Sequence, residues 1–179
     1  MIRLKTLLTE ITLGTPYQTQ FVWQDMQWGL TTEFTTPAGT YEVNVNGTMN
    51  FLTALHEQKH EARFVMVSSS SVYAPSRDGS PIAEEGRLFG SSPYAWSKLA
   101  AEQLALFYAE SFQLPVTILR PFNPYGPGQP SNFLIPEILT QLLDPAREAV
   151  ELLDLTPRRD LLFIQDLVDA VEAVVQAEC

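Results

Sequence analysis

Tyr94 and Lys98 lie four residues apart in the run SPYAWSK, and a short loop upstream the segment FVMVSSSSVY ends in serines. Four residues is just over one helical turn, so the two side chains project from one helix face. A phenol placed there can give or take a proton. Free tyrosine has a pKa of about 10, and a neighbouring ammonium favours the ionised form. Ser69, at the end of a predicted strand, is placed to hold a substrate oxygen within reach of the phenol. Together the three residues form a proton-transfer set suited to alcohol–ketone chemistry. A Tyr-x-x-x-Lys spacing alone arises by chance in many helices; its position after the serine strand gives it weight.

Those residues need elements to carry them. Thr36 followed by Pro37 reads as a helix N-cap with proline in the first turn. The helix is expected to run to about His60, with Tyr41, Val45, Met49, Leu52 and Leu55 on one face. Residues Arg63 to Ser69 read as a buried strand, and 74–92, rich in Pro and Gly, as a loop. Ser92-Pro93 opens a second helix, with Leu99, Leu104, Phe107, Tyr108 and Phe112 as its apolar face. Pro115 to Leu119 reads as a strand, bounded by the turn-rich PFNPYGPGQP. A helix is expected from Phe133 to Leu143, started or bent at Pro136. Glu151–Leu153 and Leu161–Ile164 are short strand candidates. Asp166 is expected to open the last helix, with Leu167, Val168, Val171, Val174 and Val175 buried. Phe21-Val22-Trp23 is a further short strand candidate. Strands alternating with helices of this length indicate α/β units and a parallel sheet.

The chain has 179 residues, enough for one domain with a real core. Its formal net charge of −10 argues against sequence-independent nucleic-acid binding. An acidic chain that binds an anionic nucleotide must concentrate its few arginines, which draws attention to Arg120, Arg158 and Arg159. Cys179 is the only cysteine, so no intramolecular disulfide is possible, in keeping with a reducing compartment. No stretch has the length of a membrane-spanning helix. The start, MIRLKTLLTEITLG, is interrupted by Glu10 and lacks a small-residue cleavage site, so it does not read as a signal peptide. The cytoplasm is the expected location. His56 and His60 are four apart but lack a third ligand, so no metal is expected.

The runs YEVNVNGTMNFLTAL, RFVMVSSSSVYA, SPYAWSKLAAEQL, ILRPFNPYGPGQ and RRDLLFIQDLVDA resemble the extended short-chain dehydrogenase/reductase family, in its nucleotide-sugar epimerase/dehydratase branch. They appear in that family's order and cover roughly residues 36 to 178. The resemblance implies NAD or NADP as cofactor, a nucleotide-diphosphate sugar as substrate, and a homodimer built on helices 38–59 and 93–112. It also implies roles. Tyr94 matches the catalytic tyrosine, Lys98 the lysine that bonds the nicotinamide ribose, and Ser69 the residue that positions the sugar oxygen. Asn44 matches an asparagine near the nicotinamide, or else makes a structural bond within its helix. Pro121, Phe122 and Asn123 match the loop from cofactor to substrate. Ser69, Ser70, Asn123 and Arg159 are then the expected substrate contacts, Arg159 as a bidentate donor to the diphosphate. Asp160 is the alternative partner for Arg159, and Arg120 is equally suited to a structural ion pair.

Two departures from the family pattern shape the expectation. Members that eliminate water place acidic residues directly after the active-site Ser/Thr, where this chain has Ser70 and Ser71. Neither serves as a carboxylic acid–base pair. A 4-epimerase or 4-keto reductase is therefore favoured over a 4,6-dehydratase, and the run RPFNPYGPGQ resembles reductases and epimerases of GDP- or dTDP-sugars. Secondly, the family opens with a strand, a Gly-x-x-Gly-x-x-Gly turn and a helix that holds the pyrophosphate. Before Gly39 the chain has only Gly14 and Gly29. The expected fold is thus a partial Rossmann-like doubly wound parallel sheet, lacking that opening unit and truncated at both ends. Residues 1–30 stay unassigned, and 31–179 form the partial catalytic domain with the start of a substrate-binding region. Without the glycine turn, cofactor binding and activity by this chain alone are in doubt, and a non-catalytic fragment or a dimerisation module is the alternative.

Overall fold

The computed structural model describes residues 37–59 and 62–177. The strand candidate at Phe21–Trp23, the Thr36 cap, His60 and Cys179 lie outside the described residues. The first element is a helix of three parts: α1 (Pro37–Tyr41), a π-helical segment (Glu42–Asn46) and α2 (Gly47–Glu57). The π segment is a difference from the regular helix expected here. It widens one turn, so that α1 and α2 are out of phase with each other. Leu52 and Leu55 are buried as expected, whereas Tyr41 before the wide turn and Met49 after it are exposed and Val45 is half-buried.

β1 (Phe64–Val67) comes next, then a 3-10 turn (Ser70–Val72), α3 (Pro93–Phe112) and β2 (Val116–Leu119). β1 and β2 pair in parallel, Phe64 opposite Val116 through Val67 opposite Leu119, with α3 in the connection between them. The strand is shorter than the expected Arg63–Ser69, but the ladder continues where Ser68 N–H donates to the Leu119 carbonyl at 2.7 Å. The N-terminus of α3 forms as the sequence requires: the Ser92 hydroxyl accepts from Ala95 N–H at 3.2 Å, with Pro93 in the first turn.

The buried face of α3 differs from expectation. Its buried residues are Ala95, Ser97, Leu99, Ala101, Glu102 and Ala105, whereas Phe107 and Phe112 are exposed. Small side chains let this helix approach α2 and the strands closely. Leu52, Leu55, Met66, Ala101, Ala105 and Leu114 close around one core, while Val72, Tyr73 and Leu99 form a second cluster beneath Phe122. Leu104 and Tyr108 pack against the first core as expected, whereas Trp96, Leu106, Phe107 and Phe112 are exposed, leaving α3 apolar on both sides.

The remainder carries β3 (Pro124–Tyr125), α4 (Leu134–Leu142), β4 (Leu162–Phe163) and α5 (Ile164–Gln176). β3 and β4 form a second parallel pair rather than an extension of the first. Glu151–Leu153 is not a strand. Gln141 holds it instead: its Oε1 accepts from Glu151 N–H at 2.8 Å and its Nε2 donates to the Glu151 carbonyl at 3.0 Å. The last helix starts two residues before Asp166, and none of its expected apolar stripe is fully buried.

Candidate active site

Three segments meet at the carboxyl ends of β1 and β2, where an open parallel sheet offers its crevice. They are the serine turn after β1, the first turns of α3, and the loop after β2. Lys98 joins the helix to the sheet by donating from Nζ to the Val67 carbonyl at 3.1 Å, two residues before Ser69. The same ammonium lies 5.9 Å from the centroid of the Tyr94 ring, within the range where a cation is drawn to an aromatic face. Burial pushes the Lys98 amine below the ordinary lysine value, and the Glu102 carboxylate opposes that shift. Tyr94 remains open to solvent at 36% exposure. The structure therefore combines a half-buried ammonium with an accessible phenol on one helix face.

Ser69, two residues past β1, has extended backbone and caps the 3-10 turn. Its hydroxyl accepts from Ser71 N–H at 3.2 Å and donates to Ser71 Oγ at 3.1 Å. Ser70 N–H donates to the Pro121 carbonyl at 3.1 Å, which fastens the serine turn to the loop after β2. Phe122 stacks on Tyr73, with centroids 6.1 Å apart and planes 20° apart. Asn123 Nδ2 donates to the Asp160 carbonyl at 2.9 Å, anchoring the segment that carries Arg159. Arg159 itself is exposed, and among the described residues it forms no ion pair with Asp160.

Asn44 occupies the π segment and donates from Nδ2 to the Ser97 hydroxyl at 2.9 Å. Ser97 is fully buried and donates in turn to the Tyr94 carbonyl at 2.8 Å. The Asn44 amide thus braces the Tyr94–Lys98 turn through a bond between helices. Arg120 takes the structural role: Nε and Nη2 reach the two Glu102 oxygens at 3.0 and 2.8 Å. Its Nη1 continues to Tyr73 Oη at 3.0 Å. Glu102, Tyr73 and Ser97 were not singled out as site residues from the sequence. The available signal was Glu102 itself, a charge four residues after Lys98 within an otherwise apolar helix stretch.

An open pocket of about 420 Å³ lies beside this network, lined by Tyr73, Ile82, Glu84, Arg120 and Phe122 among others. No group of metal-ligating side chains occurs among the described residues, and no described helix is long and apolar enough to cross a membrane. The donor set suits the nicotinamide-ribose end of a dinucleotide. Lys98 commits one of its three ammonium protons to Val67, and the Tyr94 hydroxyl is accessible alongside. The glycine turn that would hold the diphosphate is not among the described residues.

Residues 26–178 match the family model described as NAD dependent epimerase/dehydratase family. GDP-6-deoxy-D-mannose reductase of Pseudomonas aeruginosa is 36% identical over 142 residues, which cover 76% of this chain and 47% of the relative. A solved structure of RMD from Pseudomonas aeruginosa complexed with NADPH superposes with a TM-score of 0.70 at 34% identity, over 82% of this chain and 54% of that one. The dTDP-glucose 4,6-dehydratase of Bacillus anthracis in complex with NAD gives a TM-score of 0.68 at 34% identity, over 76% and 43%. The chain thus spans about half the length, or less, of the proteins it matches, and its architecture is the Rossmann-type fold of those enzymes.

Proposed function

The chain belongs to the NAD dependent epimerase/dehydratase family, and from that membership we propose that its site serves an NAD(P)-dependent 4-epimerase or 4-keto reductase of a nucleotide-diphosphate sugar. The observation that carries the reading is the pairing of an accessible Tyr94 with a half-buried Lys98 tied to the end of β1. In this reading Tyr94 gives a proton to, or takes one from, the sugar oxygen at the reacting carbon. Lys98 donates to the nicotinamide ribose. Ser69 turns its hydroxyl from Ser71 to the same sugar oxygen. Asn123 and Arg159 face the rest of the nucleotide sugar, Arg159 as donor to its diphosphate. The nicotinamide, when bound, supplies or accepts the hydride.

Reductase or epimerase chemistry is favoured over dehydration because Ser70 and Ser71 stand where elimination needs carboxyl groups. The relatives alone do not choose, since a reductase and a dehydratase match at similar identity. A homodimer through α1–α2 and α3 accompanies this reading. The exposed Tyr41, Val43, Met49, Trp96, Leu106 and Phe107 on these elements support it. Sedimentation giving only monomer at high micromolar concentration would rule out that pairing.

The test is a fluorescence titration of the full chain with NADH and with NADPH, then turnover on GDP-, dTDP- and UDP-linked 4-keto sugars. Saturable binding that weakens in Lys98→Met supports the assignment. No binding at millimolar cofactor ends the enzymatic reading for this chain and leaves the dimerisation module.

A further inference from the structure

Glu102 is the one carboxylate among the described residues that is fully buried, at 0% exposure. Its helix α3 presents Lys98 one turn earlier on the same side. Arg120 meets it with two parallel donors, a geometry that fixes orientation as well as distance. Arg120 also stands directly before Pro121, Phe122 and Asn123. Its Nη1 holds Tyr73 Oη at 3.0 Å, and that hydroxyl donates to the Glu84 carbonyl at 3.1 Å. Tyr73 comes directly after the serine turn. One buried network therefore touches all three segments of the candidate site.

A buried ion pair is a poor source of net stability compared with an apolar pair of the same shape. Its presence at the junction of the three segments calls for another account. We propose that Glu102 and Arg120 are positioning residues: they lock the Tyr94–Lys98 helix to the serine turn and to the Pro121–Asn123 loop, and Glu102 sets a negative charge on the helix face that the half-buried Lys98 shares. The proposal rests on reading Tyr94 and Lys98 as the proton-transfer pair, but it concerns the lysine itself.

The surroundings of Lys98 are compatible with this. On its own helix the neighbouring ionisable groups are Tyr94 and Glu102. β1 supplies the Val67 carbonyl, and Arg120, the residue after β2, is bonded to Glu102. The helices packed against α3 carry Glu42, whose carboxylate accepts from Asn46 at 2.6 Å, His56, whose ring lies tilted against Phe112 with centroids 4.0 Å apart, and the exposed Glu57. None of them bonds Lys98. The 3-10 turn carries no charged side chain. Burial lowers the Lys98 amine, and among these groups the Glu102 carboxylate opposes that lowering.

The chain has three lysines, Lys5, Lys59 and Lys98, so NMR titration of lysine-labelled full chain gives a readable spectrum. Lys98→Arg deletes and thereby assigns the Lys98 signal. Wild type should titrate highest. Glu102→Gln should titrate lowest, because Arg120 then acts on Lys98 unopposed. Glu102→Gln combined with Arg120→Gln should fall between. Should Glu102→Gln fail to fold, the double variant, which strands no charge, must still titrate below wild type. Signals rising in both variants toward the ordinary lysine value would mean the pair merely shields Lys98, and would overturn the proposal. Unchanged titration would overturn it as well. Neither result depends on turnover, so the enzymatic reading stands or falls separately.

Discussion

Replacing Arg120 by Met should cost more stability than any other single change at the site. Arg120 keeps about a fifth of its side chain in contact with solvent, whereas Glu102 has none. Removing the arginine thus strands a carboxylate that has lost both its donors, and breaking a buried pair from one side costs about 3–5 kcal/mol. Glu102→Gln is the milder partner change. The guanidinium keeps Tyr73 Oη and the Glu84 carbonyl as acceptors at 3.0 and 3.4 Å, and can turn toward water. The expected cost there is about 1–3 kcal/mol. Replacing both residues by Met should recover most of the loss, because no buried charge remains. Urea unfolding monitored by circular dichroism measures all three. With a slope of about 2 kcal/mol/M, Arg120→Met should lower the midpoint by roughly 2 M. A shift no larger than that of Glu102→Gln would refute the reasoning about stranded charge. A double variant as unstable as Arg120→Met would show that shape, not charge, sets the cost.

Three further outcomes rest on particular contacts. Asn44→Ala should cost about 1 kcal/mol, and a double-mutant cycle with Ser97→Ala should show coupling, since the two side chains bond at 2.9 Å; strict additivity would contradict the brace. Gly126→Ala places a methyl 2.3 Å from Ile164 Cγ2 and 2.9 Å from its Cβ. It should destabilise by about 1–3 kcal/mol, with partial recovery in Ile164→Ala, and a neutral substitution would contradict the close approach. Asp78, held by the Ser80 and Ser76 hydroxyls and the Ser80 N–H, has its pKa lowered to about 2. A depressed carboxyl contributes stability above its unfolded value of 3.8, and the contribution is lost as pH falls through about 2. Carbon-detected NMR should find Asp78 titrating there, and rising in Ser80→Ala; an unshifted titration would contradict the loop geometry.

The features legible in the sequence were local and short-range. The Ser92-Pro93 cap, the four-residue spacing of Tyr94 and Lys98, and the serine-ended strand each depend on neighbours within a turn, and each forms as the residues imply. Parallel pairing of β1 and β2 was implied by the alternation of strand and helix. The π segment was not legible, because NVN in a run of helix formers looks regular at a period of 3.6 and the extra residue is fixed by packing against α3. The buried face of α3 was misread for a related reason. Size suggested Phe107 and Phe112 as core, but close approach to the sheet selects Ala95, Ala101 and Ala105. Glu102 needed a partner eighteen residues away, across the sheet, and no pattern along the helix reveals one. The hold of Gln141 on Glu151 is likewise a contact between segments, where short apolar runs mislead.

The most direct test of the account is the kinetics of Tyr94→Phe. A positioned general acid–base contributes about 10²–10⁴-fold to rate. With NADPH and a 4-keto nucleotide sugar, the unaltered chain should turn over, and Tyr94→Phe should lose at least about a hundredfold in kcat with cofactor affinity kept. Equal kcat in the two proteins, or no turnover in either, would contradict it.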